Sequence, residues 1–255
     1  MTDAPTSHGT AVPDAEAFEA QRAERRAGLA ADDDLRRAAV DLQVAAEEHG
    51  YTYTWEWLGV PVIRIPDDIC VLQELVWDYR PDRIVETGVA RGGSMVLNAS
   101  LQRLAGIEPR VLGLDILILP HTREALTDHP MAAGVELHEG DSTDEAAKER
   151  VAEFVGDAER AMLVLDSNHT HDHVLAELRV LAPLLPVGSY VLVADTLIEE
   201  FPAGHYADRP WDRGDNPLTA VREFLAENPD YELDGRWARR GLLSEFRDGI
   251  IRRVG

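Results

Sequence analysis

Five short apolar runs, rich in β-branched residues, recur near residues 83–86, 110–115, 135–138, 161–166 and 189–195. Helical periodicity fills most of the gaps between them. Buried strands separated by amphipathic helices are the pattern of βαβ units, and they predict an α/β fold with a mostly parallel sheet. Upstream, residues 14–48 carry a helical pattern of Ala, Arg and Glu with few apolar positions. Residues 67–79 carry a shorter helical pattern, with Asp67 or Asp68 near its cap. Between them, Tyr51, Tyr53, Trp55 and Trp57 mark an extended segment reaching Pro66, expected to cover a core edge or part of a site. Residues 230–234 and 249–253 predict a C-terminal antiparallel hairpin. The Pro- and Gly-rich stretch 199–217 predicts a long loop, either a lid or a plain surface loop. The expected division is a disordered tail over 1–13, an N-terminal helical extension over 14–50 and one large domain over 51–255.

Each apolar run ends in, or is followed at once by, an acid: Glu86, Asp115, Glu139 with Asp141, Asp166 and Asp195. In an open parallel sheet, ligands bind beyond the carboxyl ends of the strands, so these acids are expected to converge on one crevice. The first run opens into Glu86-Thr87-Gly88-Val89-Ala90-Arg91-Gly92-Gly93-Ser94. Gly88 permits a turn at positive φ. Gly92 and Gly93 let a ligand approach the backbone, and Ser94 is placed to cap the next helix. The spacing is neither the dinucleotide fingerprint nor a P-loop. It fits S-adenosylmethionine (SAM), with Glu86 on the amino group and Arg91 on the carboxylate or a substrate phosphate. The plain alternative is an ordinary tight strand–helix turn. Asp115 is placed for the hydroxyls of a ribose, and Asp141-Ser142 for the adenine amino group or for a helix cap. The candidate cofactor residues are thus Glu86, Thr87, Gly88, Arg91, Gly92, Gly93, Ser94, Asp115, Asp141, Ser142 and Asp166.

From Leu163 to His173, a buried strand runs into Asp166, with His169, His171 and His173 beyond it. Asp166 and Asp195, on adjacent strand ends, can share one hard divalent cation such as magnesium. A metal-bound hydroxyl is more acidic, and His169 is the candidate general base, against a structural or helix-capping role. One helix turn cannot aim three imidazoles at one point, so His171 and His173 are expected to be structural. In the 199–217 loop, His205, Arg209 and Trp211 are candidate substrate contacts.

The charge balance narrows the partners. With 25 basic and 47 acidic residues among 255, the net charge is −22. Nucleic acid and anionic membrane surfaces are excluded as partners on that account, because both need a basic face. An anionic substrate requires local arginines or a metal. Cys70 is the single cysteine, so no intrachain disulfide forms. No apolar run is long enough to span a membrane, and no secretory signal opens the chain, so a cytoplasmic protein is expected.

Residues from about 50 to 230 resemble the cephalosporin hydroxylase family, which includes rhamnosyl O-methyltransferases. The resemblance rests on Trp57-Leu58-Gly59-Val60-Pro61, the Glu86–Ser94 turn, Leu165-Asp166-Ser167-Asn168-His169-Thr170-His171, Arg209-Pro210-Trp211 and Asn216-Pro217. It implies a Rossmann-like class I SAM methyltransferase fold, bound magnesium and a homo-oligomer. It also implies methylation of a sugar or glycoside, TDP-rhamnose at its 3'-hydroxyl, in antibiotic natural-product biosynthesis. By the same resemblance Asp166 and Asp195 are metal acids and His169 the general base. Some relatives carry a Glu immediately before the second metal acid; here that residue is Ala194, leaving Thr196 or Glu199 as the third ligand. The family name also raises a non-haem iron hydroxylase, but no histidine here is followed two residues later by Asp or Glu. A further alternative is a SAM-binding accessory protein of a partner oxygenase.

Overall fold

A computed structural model describes residues 14–255, so the tail assigned to 1–13 lies outside the described residues. The helical extension is two helices rather than one, α1 (Ala15–Ala31) and α2 (Asp33–Glu47). Asp14 caps α1 by accepting from Ala17 N at 2.8 Å, and Asp32 breaks the pattern by capping α2 from Leu35 N at 2.9 Å. α1 buries no residue, whereas α2 buries Ala39, Val40 and Gln43 on one stripe.

The aromatic segment is not one extended run. A 3-10 turn at Tyr51–Thr54 leads into a hairpin of β1 (Trp55–Trp57) and β2 (Val60–Val62). Its turn residues, Leu58 and Gly59, both have positive φ, at 51° and 87°, which matches the twist of a two-residue hairpin. α3 (Pro66–Tyr79) starts with Pro66 at its first position, where no N–H is needed. Asp67 and Asp68 do not cap it. They accept instead from Leu242 N at 3.0 Å and Glu245 N at 2.8 Å, tying α3 to a segment far along the chain.

The predicted alternation then follows: β3 (Arg83–Thr87), α4 (Gly93–Leu104), β4 (Val111–Asp115), α5 (Pro120–Thr127), β5 (Val135–Glu139), α6 (Glu145–Val155), β6 (Ala161–Leu165), α7 (His171–Leu181) and β7 (Tyr190–Val193). The chain closes with α8 (Pro217–Glu227), β8 (Tyr231–Leu233) and β9 (Ile250–Arg253). The sheet order is β5-β4-β3-β6-β7-β9-β8. The first five strands are parallel, and β9 runs antiparallel between β7 and β8. The period of two along each strand divides the core. Ile84, Met162, Leu192 and Ile250 pack with α3 and α4, while Val85, Leu163, Val191 and Ile251 pack with α6, α7 and α8. The chain moves outward from β3 to β5 and returns on the other side at β6. That places a topological switch point between β3 and β6, where a crevice opens at the carboxyl ends.

Candidate active site

A cavity of about 420 Å³ opens at this switch point. Its floor is the turn Gly88–Ser94. Gly88 has φ 88°, and a Cβ there would lie 2.0 Å from the Asp166 carbonyl oxygen, so only glycine lets β3 and β6 close up. Asp166 N also donates to Thr87 O at 3.0 Å, and Thr87 is wholly buried in this seam rather than exposed to a ligand. The bare Cα of Gly93 serves the hairpin: a Cβ there would meet Pro61 O at 2.2 Å. Gly92, at φ 89°, is the residue at the N-cap of α4. Ser94 lies inside the first turn and bonds Glu86, so it does not cap the helix.

Asp166, His169 and Asp195 meet beside this turn, with one ligand atom from each within 4.8 Å of the others. Asp166 follows β6, and Asp195 follows β7 in the left-handed region at φ 58°, a conformation Asp tolerates better than most residues. His169 Nδ1 lies 3.3 Å from Asp195 Oδ2. Its ring stands edge-on to Trp211, 4.8 Å between centroids, so the 199–217 loop folds over the site. The Asp166 and Asp195 carboxylates fit a hard divalent cation whose remaining shell is water and substrate oxygen, with the His169 imidazole beside it.

Arg64, which sequence reasoning missed, lies at the centre of the charge. It is 1 % exposed and pairs with Asp166 at 3.0 Å, Glu86 at 3.4 Å and Glu245 at 3.6 Å, its guanidinium 5.0 Å from the Phe246 ring centroid. Glu86, Asp166, Asp195 and Glu245 thus outnumber one buried cation. Burial pushes Glu86 up to about 7, with Arg64 opposing it. Burial likewise pushes Asp166 up to about 6, Arg64 opposing and the Asp195 charge adding to it. Glu245 is raised too, by burial and then by Asp195. Such a site attracts cations: a metal, or the ammonium and sulfonium groups of SAM.

Several expected site residues already hold protein partners. Glu86 shares the face of Ile84, which turns it under the crevice towards Asn98 on α4, and it is 1 % exposed. Asp115 holds the glycine turn, accepting from Val89 N at 2.8 Å and Ala90 N at 3.1 Å, and does not border the cavity. Asp141 turns back on Thr143 N at 2.8 Å, and Ser142 donates to the buried Glu177 at 2.6 Å. The Thr196 hydroxyl donates to Glu245 O at 2.8 Å, which leaves its oxygen lone pairs free. Glu199 is occupied by Gly214 N at 2.9 Å and Asn216 Nδ2 at 2.7 Å. His205 does not itself line the cavity; it meets Glu47 on α2 at 3.1 Å. Trp211 packs on His169 instead of lining the space, whereas Arg91 and Arg209 do line it. His171 and His173 are structural as expected, engaging Thr219 at 2.8 Å and Ser142 at 3.2 Å.

The family model described as rhamnosyl O-methyltransferase/CmcI matches residues 49–254. The rhamnosyl O-methyltransferase of Mycobacterium tuberculosis (strain ATCC 25618 / H37Rv) is 30% identical over 203 residues, 75% of this chain and 77% of that protein. The protein of the same name from Mycobacterium leprae (strain TN) is 28% identical over 202 residues, 75% of this chain and 82% of that one. The apo structure of CmcI-N160 is similar with a TM-score of 0.56 at 25% identity, covering 80% of this chain and 77% of that one. The Mg-SAM structure of CmcI-D160, at 24% identity and a TM-score of 0.57, shares the fold over 80% of this chain and 78% of that one. The matched residues run from just past α2 to the last strand and take in the glycine turn and the Asp166–His169–Asp195 cluster, and the chain belongs to the rhamnosyl O-methyltransferase/CmcI family.

Proposed function

We propose that the protein transfers a methyl group from SAM to a deoxysugar hydroxyl, the 3'-hydroxyl of TDP-rhamnose, in the assembly of an antibiotic natural product. The enzyme is a SAM-dependent O-methyltransferase. The observation that carries this reading is the Asp166–His169–Asp195 cluster set in one cavity beside the glycine turn, in a chain of this family. When bound, SAM supplies an electrophilic methyl group, and magnesium, held by Asp166 and Asp195, supplies a Lewis acid that makes a sugar hydroxyl easier to deprotonate. His169 Nδ1 lies 3.3 Å from Asp195 Oδ2, which leaves Nε2 as the ring nitrogen available to act as the base. Arg64 fixes Asp166 from below. Asp115 offers a ribose the lone pairs left over from its backbone hydrogen bonds.

Arg91 and Arg209 favour an anionic acceptor. Both line the cavity, Arg91 meeting His121 and Arg209 lying over Trp211, and among the described residues neither pairs with a carboxylate. A nucleotide-linked sugar supplies the missing charge. The same reading takes the protein as a homo-oligomer, since α1 buries nothing and leaves Phe18 48 % and Leu29 53 % exposed. It also takes the protein as cytoplasmic; no helix among the described residues is long and apolar enough to cross a membrane. The test is transfer of labelled methyl from SAM to a panel of TDP-deoxysugars and neutral rhamnosides. Transfer to TDP-rhamnose with the product methylated at the 3'-oxygen supports the reading. Transfer to rhamnosides alone removes the nucleotide sugar from it.

A further inference from the structure

One wall of the cavity comes from α2, ahead of residue 49 where the family match begins. Gln43 lies on the buried stripe of α2, is 1 % exposed and lines the cavity, yet its amide oxygen has no hydrogen-bond partner. Buried carbonyl oxygens are rarely left unpaired, so this one is placed for a donor that arrives with a ligand. One helical turn on, Glu47 lines the same cavity. Its Oε2 accepts from His205 Nε2 at 3.1 Å and Tyr206 OH at 2.9 Å, while its Oε1 accepts no bond among the described residues. Burial and the Glu47 charge both push the Tyr206 hydroxyl up, which keeps it a donor to that carboxylate. The buried unpaired oxygen of Gln43 and the open Oε1 of Glu47, one helical turn apart, suit a ligand with two hydroxyl donors, the chemistry of a pyranose ring.

We infer that Gln43 and Glu47 form the acceptor-specificity subsite, receiving hydroxyls of the sugar that are not methylated. This rests on the sugar-methyltransferase reading above. Glu47 does two things: it reads the sugar through Oε1 and anchors the 199–217 loop through Oε2. The wall lies outside the family-matched segment, which makes it the place where this chain sets its own choice of sugar.

The test compares the wild-type protein with Gln43→Met and Glu47→Gln, using TDP-rhamnose and its 2-deoxy and 4-deoxy analogues. SAM affinity is measured by calorimetry as the check on folding. Gln43→Met, close in volume to the original, is expected to raise KM for TDP-rhamnose about tenfold with SAM affinity unchanged. On one of the two deoxy analogues the wild type loses at least about tenfold in kcat/KM, and Gln43→Met adds no further loss there, because side chain and hydroxyl act as one pair. Glu47→Gln shows the same coupling to the other analogue. Additive losses, or weakened SAM binding in their place, overturn the subsite while leaving the sugar reading intact. Absence of transfer to any sugar by the wild-type protein overturns the reading beneath and the subsite with it.

Discussion

His169 Nδ1 lies 3.3 Å from Asp195 Oδ2, so one carboxylate serves both the imidazole and the cation position beside Asp166. On the proposed mechanism Asp195 orients the imidazole, and the far ring nitrogen is left for the substrate.

His169→Gln keeps the volume and removes the base. Turnover is expected to fall at least about a hundredfold, with SAM and magnesium affinity within a few-fold of wild type. Single-turnover transfer and calorimetry measure the two effects separately. Turnover within a few-fold of wild type removes His169 from the mechanism.

Arg209→Gln removes an arginine without a carboxylate partner from the cavity rim. KM for TDP-rhamnose is expected to rise at least about tenfold, since a hydrogen bond to a charged group is worth roughly 1.5–3 kcal/mol. A neutral rhamnoside tested alongside is expected to show no change. Equal effects on both acceptors contradict a phosphate contact.

Glu86 supplies a pH signature. Its carboxyl sits at about 7 when folded against an ordinary 4.5, so the folded state binds its proton more tightly than the unfolded chain does. Its contribution favours folding below about 4.5 and is lost as pH climbs through about 7. Thermal unfolding of metal-free wild type and Glu86→Gln across that window checks the sign. The variant gains stability relative to wild type as pH rises. A constant difference between the two shows that Glu86 does not titrate.

Gly93→Ala sets a methyl group 2.2 Å from Pro61 O and forces the hairpin away from α4. Denaturant unfolding is expected to show a loss of about 1–3 kcal/mol. Gly235→Ala, with nothing within 4 Å of the added carbon, is the control and stays within about 0.5 kcal/mol. A neutral Gly93→Ala means the hairpin is not seated as described.

The strands and the two acids proposed to hold the metal were legible because they are local: apolar runs set the sheet, Asp166 follows β6 at once, and only Ala194 separates Asp195 from β7. Face was harder to read than position. Glu86 alternates with Val85 and so shares the face of Ile84, and counting by twos along the strand would have placed it beneath the crevice. Ser94 and Thr196 have the right spacing for a cap and a ligand, but a spacing does not say where a hydroxyl points, and each found a nearer acceptor. Arg64 and Glu245 leave no local mark. They meet across 181 positions of chain only because Asp68 anchors the segment before β9 through Glu245 N at 2.8 Å. Arg64 alone had a signal, as the single basic residue between Tyr51 and Pro66.

The most direct test of the central claim is methyl transfer from SAM to TDP-rhamnose in excess chelator, followed by graded return of magnesium, in wild type and in Asp166→Asn. Wild-type transfer is expected to vanish with chelator and return with magnesium, while Asp166→Asn stays inactive and shows magnesium binding weakened at least about tenfold. Transfer that persists in chelator, or an Asp166→Asn variant that binds magnesium as wild type does, contradicts a metal held by Asp166 and Asp195.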